Sequence, residues 1–302
     1  MIKGFKPTLA VSAELSEVKY PVYASPKLDG LRATIFQGVA YSRSLKPLPN
    51  KEIQAFVASH WRLLGGMDGE FIVGEPTDPE VFNKSSSFVM SRDKTGEPFC
   101  FHVFDLVEQD MPFSERHKAL QAILFDSDRS IPSQVQLVPQ TLIRTEEELI
   151  RYEELNLKLG YEGTMLRKPT GEYKFGRSTL KSGILLKRKT FLDMEAEVIG
   201  YEPKMHNANE ATTNELGYTE RSSHKEGLVA LEQLGSLTCR TKEGKVFSCG
   251  SGFTEDQRIE LWKEKDTLVG KLAKVKYFPI GMLEGIPRFP IWLGWRSELD
   301  IS

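Results

Sequence analysis

Lys27-Leu28-Asp29-Gly30-Leu31-Arg32 packs a lysine, an acid, a glycine and an arginine into six positions between two strand-like runs. Tyr20-Pro21-Val22-Tyr23-Ala24 leads into it as one strand, and Ala33-Thr34-Ile35-Phe36 leaves it as another. Lys27 beside a glycine turn, with Arg32 close behind, reads as a covalent nucleophile, provided that its amine sheds a proton. A free lysine has a pKa of about 10.4 and is almost wholly protonated at neutral pH. Lowering it to roughly 8 takes about 3 kcal/mol of differential stabilisation, which burial and a neighbouring cation or metal supply. Gly30 lets the backbone bend sharply or approach a ligand, and Asp29 is placed to orient the amine or bind a hydroxyl. Lys-x-Asp-Gly is equally a common surface turn, so the motif alone leaves both readings open.

At 302 residues the chain is long for one core, and two domains are the expected division. Hydrophobic residues at 40% and charged residues at 27% argue against extensive disorder. Lys3, Lys6, Glu14, Glu17 and Lys19 leave no apolar core for a signal peptide near the N-terminus, and no apolar run is long enough to span a bilayer. We therefore expect no membrane association and a cytoplasmic location. Cys100, Cys239 and Cys249 are widely spaced with no Cys-x-x-Cys pair, and His60, His102, His117, His206 and His224 lack metal-ligand spacing. The formal net charge of -2 does not carry the basic signature of an indiscriminate nucleic-acid binder. Locally, Arg167 to Lys189 holds eight basic residues against the single acid Glu172, interleaved with Tyr173 and Phe175. That interleaving favours a phosphate-facing strand pair over a merely solvated face.

Along the chain, Val39-Ala40-Tyr41-Ser42 reads as a third strand with Arg43 at its end, and Asn50 caps a helix reaching Leu64 with Phe56 and Trp61 in the core. Asp68-Gly69-Glu70 precedes an apolar run, either as a hairpin turn or as the start of a buried strand that aims Glu70 into a pocket. Ser85-Ser86-Ser87 is a candidate set of phosphate donors or a plain polar loop. Phe99 to Val107 alternates as a strand, placing Phe99, Phe101, Val103 and Asp105 on one face and His102 with Phe104 on the other. Phe104 is a candidate to stack on a planar base, a buried core ring being its alternative. Helices are expected over Ser114–Phe125 and Thr145–Leu159, the second capped by Thr145. Lys187 and Lys189, two apart on a strand, put both amines on one face, where they call for an anion unless they guard a solvated edge. Past Thr190 come five short strands, in Ala196–Gly200, Gly227–Leu231, Ser236–Cys239, Val246–Cys249 and Leu272–Phe278, with a helix near Asp256–Asp266. They suggest a small barrel of the oligonucleotide/oligosaccharide-binding type, interrupted by a polar insertion from Pro203 to Lys225.

The order Lys-x-Asp-Gly-x-Arg, Ser-Arg, Asp-Gly-Glu, Phe-Asp, Glu-Gly, Lys-x-Lys and then a small barrel resembles the covalent nucleotidyltransferases, which comprise DNA ligases, RNA ligases and capping enzymes. The resemblance spans the whole chain and leans toward the minimal ATP-dependent DNA ligases of viruses and phages. Leu216-Gly217-Tyr218-Thr219-Glu220-Arg221 and Pro287-Arg288-Phe289-Pro290-Ile291-Trp292 also look like that group. It implies an α+β chain: an adenylation domain of ATP-grasp-like antiparallel sheets with helices over residues 1–190, and an OB-fold β-barrel with a latch insertion, about 203–225, over residues 191–302.

The same resemblance implies roles. Lys27 attacks the α-phosphate of ATP and becomes lysyl-AMP, pyrophosphate leaves, AMP passes to a DNA 5′-phosphate, and the 3′-hydroxyl then displaces AMP, with Asp29 near that hydroxyl. Arg32 and Arg43 match contacts to the nucleotide or the DNA 5′-phosphate, Glu70 the ribose-binding carboxylate, and Phe104 the adenine-stacking ring. Glu162, with Glu70, matches the acids that hold Mg²⁺, or Mn²⁺ in its place. Lys187 and Lys189 match the pair that neutralises the α-phosphate, Arg177 a phosphate contact, and Arg221 and Lys225 contacts from a latch that closes a monomer around nicked duplex DNA. Arg296 and Asp300 match residues that orient pyrophosphate, although the ending Asp300-Ile301-Ser302 lacks the usual basic residue. Nick sealing of this kind serves DNA replication, repair or recombination, in a host cytoplasm if the chain is phage-encoded. An RNA ligase or a capping guanylyltransferase shares the lysine chemistry, and a non-catalytic nucleic-acid-binding protein is the rival from another class. An NAD-dependent ligase is disfavoured by the missing N-terminal extension and four-cysteine zinc site.

Overall fold

The apolar runs that flank Lys27 fold into strands of two separate sheets, so the motif itself is the crossing between them. The computed structural model describes residues 4–108, 110–128, 130–189, 191–214, 217, 219–222, 224–279 and 282–296. Its contacts divide the chain into two units, residues 1–189 and 190–302.

In chain order the first unit's strands are Val11–Ser12 (β1), Val22–Lys27 (β2), Leu31–Phe36 (β3), Val39–Tyr41 (β4) and Met67–Val73 (β5). Phe99–Leu106 (β6), Val135–Leu137 (β7), Thr141–Ile143 (β8), Gly163–Arg167 (β9) and Leu185–Arg188 (β10) follow. Its helices are Lys51–Ser59 (α1), Trp61–Leu64 (α2), Val81–Val89 (α3), Phe113–Leu124 (α4) and Glu146–Leu159 (α5). One sheet runs β1-β10-β9-β2-β8 and the other β4-β3-β5-β6-β7. Most ladders are antiparallel, as expected, but β1 pairs with β10 and β6 with β7 in parallel, so both sheets are mixed.

Ile35, Phe71, Phe88 and Phe101 are each at most 1% exposed in the main core. Fully burying side chains of this size stabilises the fold by about 1.5–3 kcal/mol apiece. Asn50 caps α1 as expected, its Oδ1 accepting from the Ile53 amide at 2.9 Å. Its amide nitrogen also donates to the carbonyls of Phe88, Ser91 and Lys94, which ties α1 to the end of α3. The expected single helix to Leu64 is broken at His60, and Trp61, expected in the core, is 51% exposed with Arg62 over its ring. The serine run is not a loop: it lies within α3, and buried Ser85 accepts from the Val73 amide at 3.0 Å.

Asp68-Gly69-Glu70 forms no hairpin but runs through the middle of β5. Gly69 is required there, since a Cβ would come within 2.5 Å of the His102 carbonyl. Opposite it, β6 bulges: Asp68 pairs with Asp105, the ladder resumes at Gly69 with Val103, and Phe104 is the extra residue. The strict alternation read from the sequence therefore stops at Phe104.

The second unit holds Leu192–Asn207 (β11), Ala211–Thr213 (β12), Thr219–Arg221 (β13), Leu228–Arg240 (β14), Val246–Cys249 (β15), Leu272–Phe278 (β16), Arg288–Trp295 (β17) and one helix, Glu255–Lys263 (α6). The ladder runs β15-β14-β11-β16-β17, and the isolated bridge Ser251–Ile291 joins its two edges, so the expected barrel is curled rather than continuously hydrogen-bonded. Two of the expected strands, 227–231 and 236–239, are one long strand, because β11 and β14 absorb their polar interruption in register shifts. The Pro203–Lys225 insertion is not structureless. Residues 203–207 extend β11, β12 pairs with β13, and Asn207 and Asn209 both donate to the Ser222 carbonyl at its base. No helix among the described residues is long and apolar enough to cross a membrane.

Candidate active site

Strand pairing brings the lysine and its acid together. Lys27 ends β2 opposite Gly163 at the start of β9, which sets Glu162, one residue earlier, beside its side chain. The Lys27 ammonium pairs with one carboxylate oxygen of Glu162, and the Lys189 ammonium pairs with the other. Glu162 is 3% exposed, so this doubly bridged carboxylate sits in the interior. Lys187 and Lys189 share a side of β10 and its continuation, while Arg188 between them turns away to Glu153, 2.5 Å from its Nε. Glu70, in β5, accepts from the Gly30 amide at 3.1 Å. A Cβ on Gly30 would lie 2.7 Å from the Phe71 carbonyl, so only glycine allows the loop to close on that strand.

The resting electrostatics differ from the expected depression of Lys27. Burial lowers its pKa, but the carboxylates of Glu162, Glu70 and Asp29 outweigh burial and hold it above the ordinary lysine value. Burial likewise pushes Glu162 up, and Lys27 and Lys189 bring it below the ordinary carboxylate value. Glu70 is raised by burial, against the opposing pull of Lys27 and the Gly30 amide. The lysine whose pKa is lowered is Lys187, by burial and by the cations of Lys189, Lys27 and Arg177. The cluster therefore unites Lys27, Asp29, Glu70, Glu162, Lys187 and Lys189, with Arg177 near enough to act on Lys187.

Arg32 is engaged beside this cluster rather than in it. Its Nε and Nη2 donate to the Asp68 carboxylate at 2.9 and 2.6 Å, and its Nη1 donates to the Thr8 carbonyl at 2.6 Å. Asp68 also accepts from the Tyr173 hydroxyl at 2.6 Å. Phe104 and Tyr161 pack against Leu28, Ile72, Val81 and Val138, an apolar surface next to the loop that follows Lys27. Asp105 behind Phe104 accepts from Arg116 Nε and Arg167 Nη1, each at 2.7 Å. Asp68, Asp105 and Arg116 received no role from the sequence, and Arg167 and Tyr173, read there as part of a phosphate-facing strand pair, are instead buried against these acids. Their signal was the pair of acids in Asp-Gly-Glu and Phe-Asp, but nothing in the spacing says that the two strands set those acids opposite each other.

Other expected residues lie elsewhere. Arg43 is exposed in the turn after β4, and the contacts described above do not include it. Arg296 belongs to the second unit, where its Nε is 2.8 Å from Glu195. Arg221 is exposed on β13 and donates to the Asn209 carbonyl. Asp300 and the side chain of Lys225 lie outside the described residues. A cavity of about 730 Å³ in the second unit, lined by Lys242, Lys245, Lys274 and Tyr277 among others, contains none of the residues assigned to nucleotide chemistry.

Among the described residues no group of three His, Cys, Asp or Glu gathers as a ready-made metal cage. Glu162 and Glu70 nonetheless face the same amine and act on each other electrostatically, a hard-oxygen pair suited to a cation shared with a phosphate ligand.

The ATP dependent DNA ligase domain family matches residues 6–189, and the DNA ligase OB-like domain family matches residues 230–296. Among solved structures, the Chlorella virus DNA ligase-adenylate is 33% identical, with 98% of this chain and 99% of that one covered at a TM-score of 0.53. A Lig E DNA ligase is 22% identical, with 98% and 100% covered at a TM-score of 0.69, a likeness of fold. No match is found among curated proteins.

Proposed function

The chain belongs to the ATP-dependent DNA ligases, enzymes that use ATP to join nicks in DNA, and from that premise we propose that Lys27 is the group that carries AMP. The single observation that supports this most is the Glu162 carboxylate shared between Lys27 and Lys189, beside Glu70. In the first step the Lys27 nitrogen forms a bond to the α-phosphorus of ATP, the bond to the β-phosphate oxygen breaks, and pyrophosphate leaves with the electron pair. In the second, an oxygen of the nick's 5′-phosphate displaces the lysine from AMP. In the third, the 3′-hydroxyl forms the phosphodiester, AMP leaves, and Asp29 stands near that hydroxyl.

Each step is an in-line displacement, in which positioning and placed cations do most of the catalysis. Lys187, Lys189 and Arg177 supply those cations at the phosphates. Glu162 accepts the Lys27 hydrogen bond and fixes the amine, while Glu70 and Phe104 take the ribose and the base. Arg32, with Asp68 holding two of its nitrogens, keeps donor capacity for the 5′-phosphate, and Arg43 contacts phosphate from its exposed turn. Glu162 and Glu70 would hold Mg²⁺, or Mn²⁺ in its place, which would supply positive charge at the phosphates. Arg296 and Asp300 orient pyrophosphate. The insertion with Arg221 and Lys225 acts as a latch, and the enzyme works as a monomer around nicked duplex DNA in the cytoplasm. Sealing of nicked duplexes with DNA or RNA in each strand tests the reading. DNA nicks should be sealed with ATP and Mg²⁺ and lost in Lys27→Ala, whereas sealing retained in that variant would refute it.

A further inference from the structure

Phe104 is the bulged residue of β6, and a bulge re-aims one side chain out of the regular alternation. Its half-buried ring has two guanidiniums against it, the Cζ of Arg167 at 5.1 Å and that of Arg32 at 5.5 Å from the centroid. Each guanidinium is fixed by one member of the cross-strand pair Asp68–Asp105. Two like charges directly opposite on neighbouring strands are unfavourable unless each is compensated. Here the arginines compensate the aspartates, and the aspartates hold the arginines beside the ring.

The two arginines are not equivalent. Arg167 is 5% exposed, is tied to Asp105, and lies 5.0 Å over Phe113 as well, so it belongs to the interior. Its buried Nε has no hydrogen-bond partner among the described residues. The Arg32 side chain is 16% exposed and is the more accessible of the two. We propose that Arg167, held by Asp105, is a positioning residue for the nucleotide base: it backs the bulged Phe104 ring and presents it to the base in one orientation. The inference rests on the reading of Phe104 as the ring that stacks on adenine.

First-turnover formation of lysyl-AMP across a range of ATP concentrations tests it in wild type, Phe104→Ala, Arg167→Lys and the double variant. Arg167→Lys keeps a cation for Asp105 but removes the flat group over the ring. It should raise half-saturating ATP about thirtyfold, the size of a desolvated cation–π contact, and leave the rate at saturating ATP within about threefold. In the Phe104→Ala background the same change should add less than about twofold, because the ring it acts through is gone. Unchanged ATP saturation in Arg167→Lys, or its full effect without the ring, overturns the inference while the stacking reading stands. Unchanged saturation in Phe104→Ala overturns both. If Arg167→Lys does not fold, Asp105→Asn in the same cycle carries the same expectation and the same refutation.

Discussion

Glu162 binds two amines at once, and this sharing sets the resting charge of Lys27. The folded protein holds the proton on Lys27 more tightly than the unfolded chain does, so that contribution to stability is full below about pH 10.4 and is lost as pH rises through the folded value. Glu162 is the reverse: its contribution is full above about pH 4.3 and is lost as pH falls through its lowered value. Replacing Glu162 by Gln removes the charge that holds the proton, so the Lys27 amine should react faster with an acylating reagent at pH 8. Peptide mass spectrometry of the ligand-free protein reads this directly, and equal or slower labelling would contradict the electrostatic account. His102 makes a second prediction. Burial lowers its pKa to about 4, so its contribution is full above about pH 6.5 and fades as pH falls toward 4. Urea unfolding should lose on the order of 2–3 kcal/mol over that interval through this group. His102→Gln should flatten the profile, with a remainder from His117, which burial also lowers; an unaltered slope would exclude the assignment.

At the scale of elements, regular patterns were readable and departures from them were not. The Thr145 cap, the Asn50 cap and the spacing of Lys187 and Lys189 follow from local rules that the fold obeys. The bulge at Phe104 does not, because it depends on a partner strand in which Gly69 leaves room for the His102 carbonyl. The joining of two expected strands into β14 depends likewise on β11 running the whole length beside it. In the insertion, asparagine composition suggested a loop, whereas Asn207 and Asn209 use their amides to pin a short hairpin. Removing residues 207–224 should leave lysyl-AMP formation intact and weaken nick sealing, most severely at raised salt, where phosphate contacts weaken. Parallel salt series on the two activities check this, and sealing unaffected at all salt concentrations would remove the latch from the account.

At the scale of the molecule, the order of motifs conveyed most of the lysine cluster, since Lys27 ends β2 opposite the start of β9, where Glu162 stands, and Lys187 and Lys189 lie on and just past β10. What it could not convey is charge state. Lys27 was expected to have its pKa lowered by burial and a neighbouring cation or metal, but strand pairing puts Glu162 between it and Lys189, so its amine rests protonated. On the reading of Lys27 as the group that carries AMP, activation would require ligand charge to draw Glu162 away, and the amine should stay unreactive without nucleotide. The most direct measurement is incubation of the protein with α-labelled ATP and Mg²⁺, mapping of the label, and a chase with unlabelled nicked duplex. The account predicts label on Lys27, none in Lys27→Ala, and discharge of the label as the nick is sealed. Label on another residue, or an adenylate that the nick does not discharge, would contradict it.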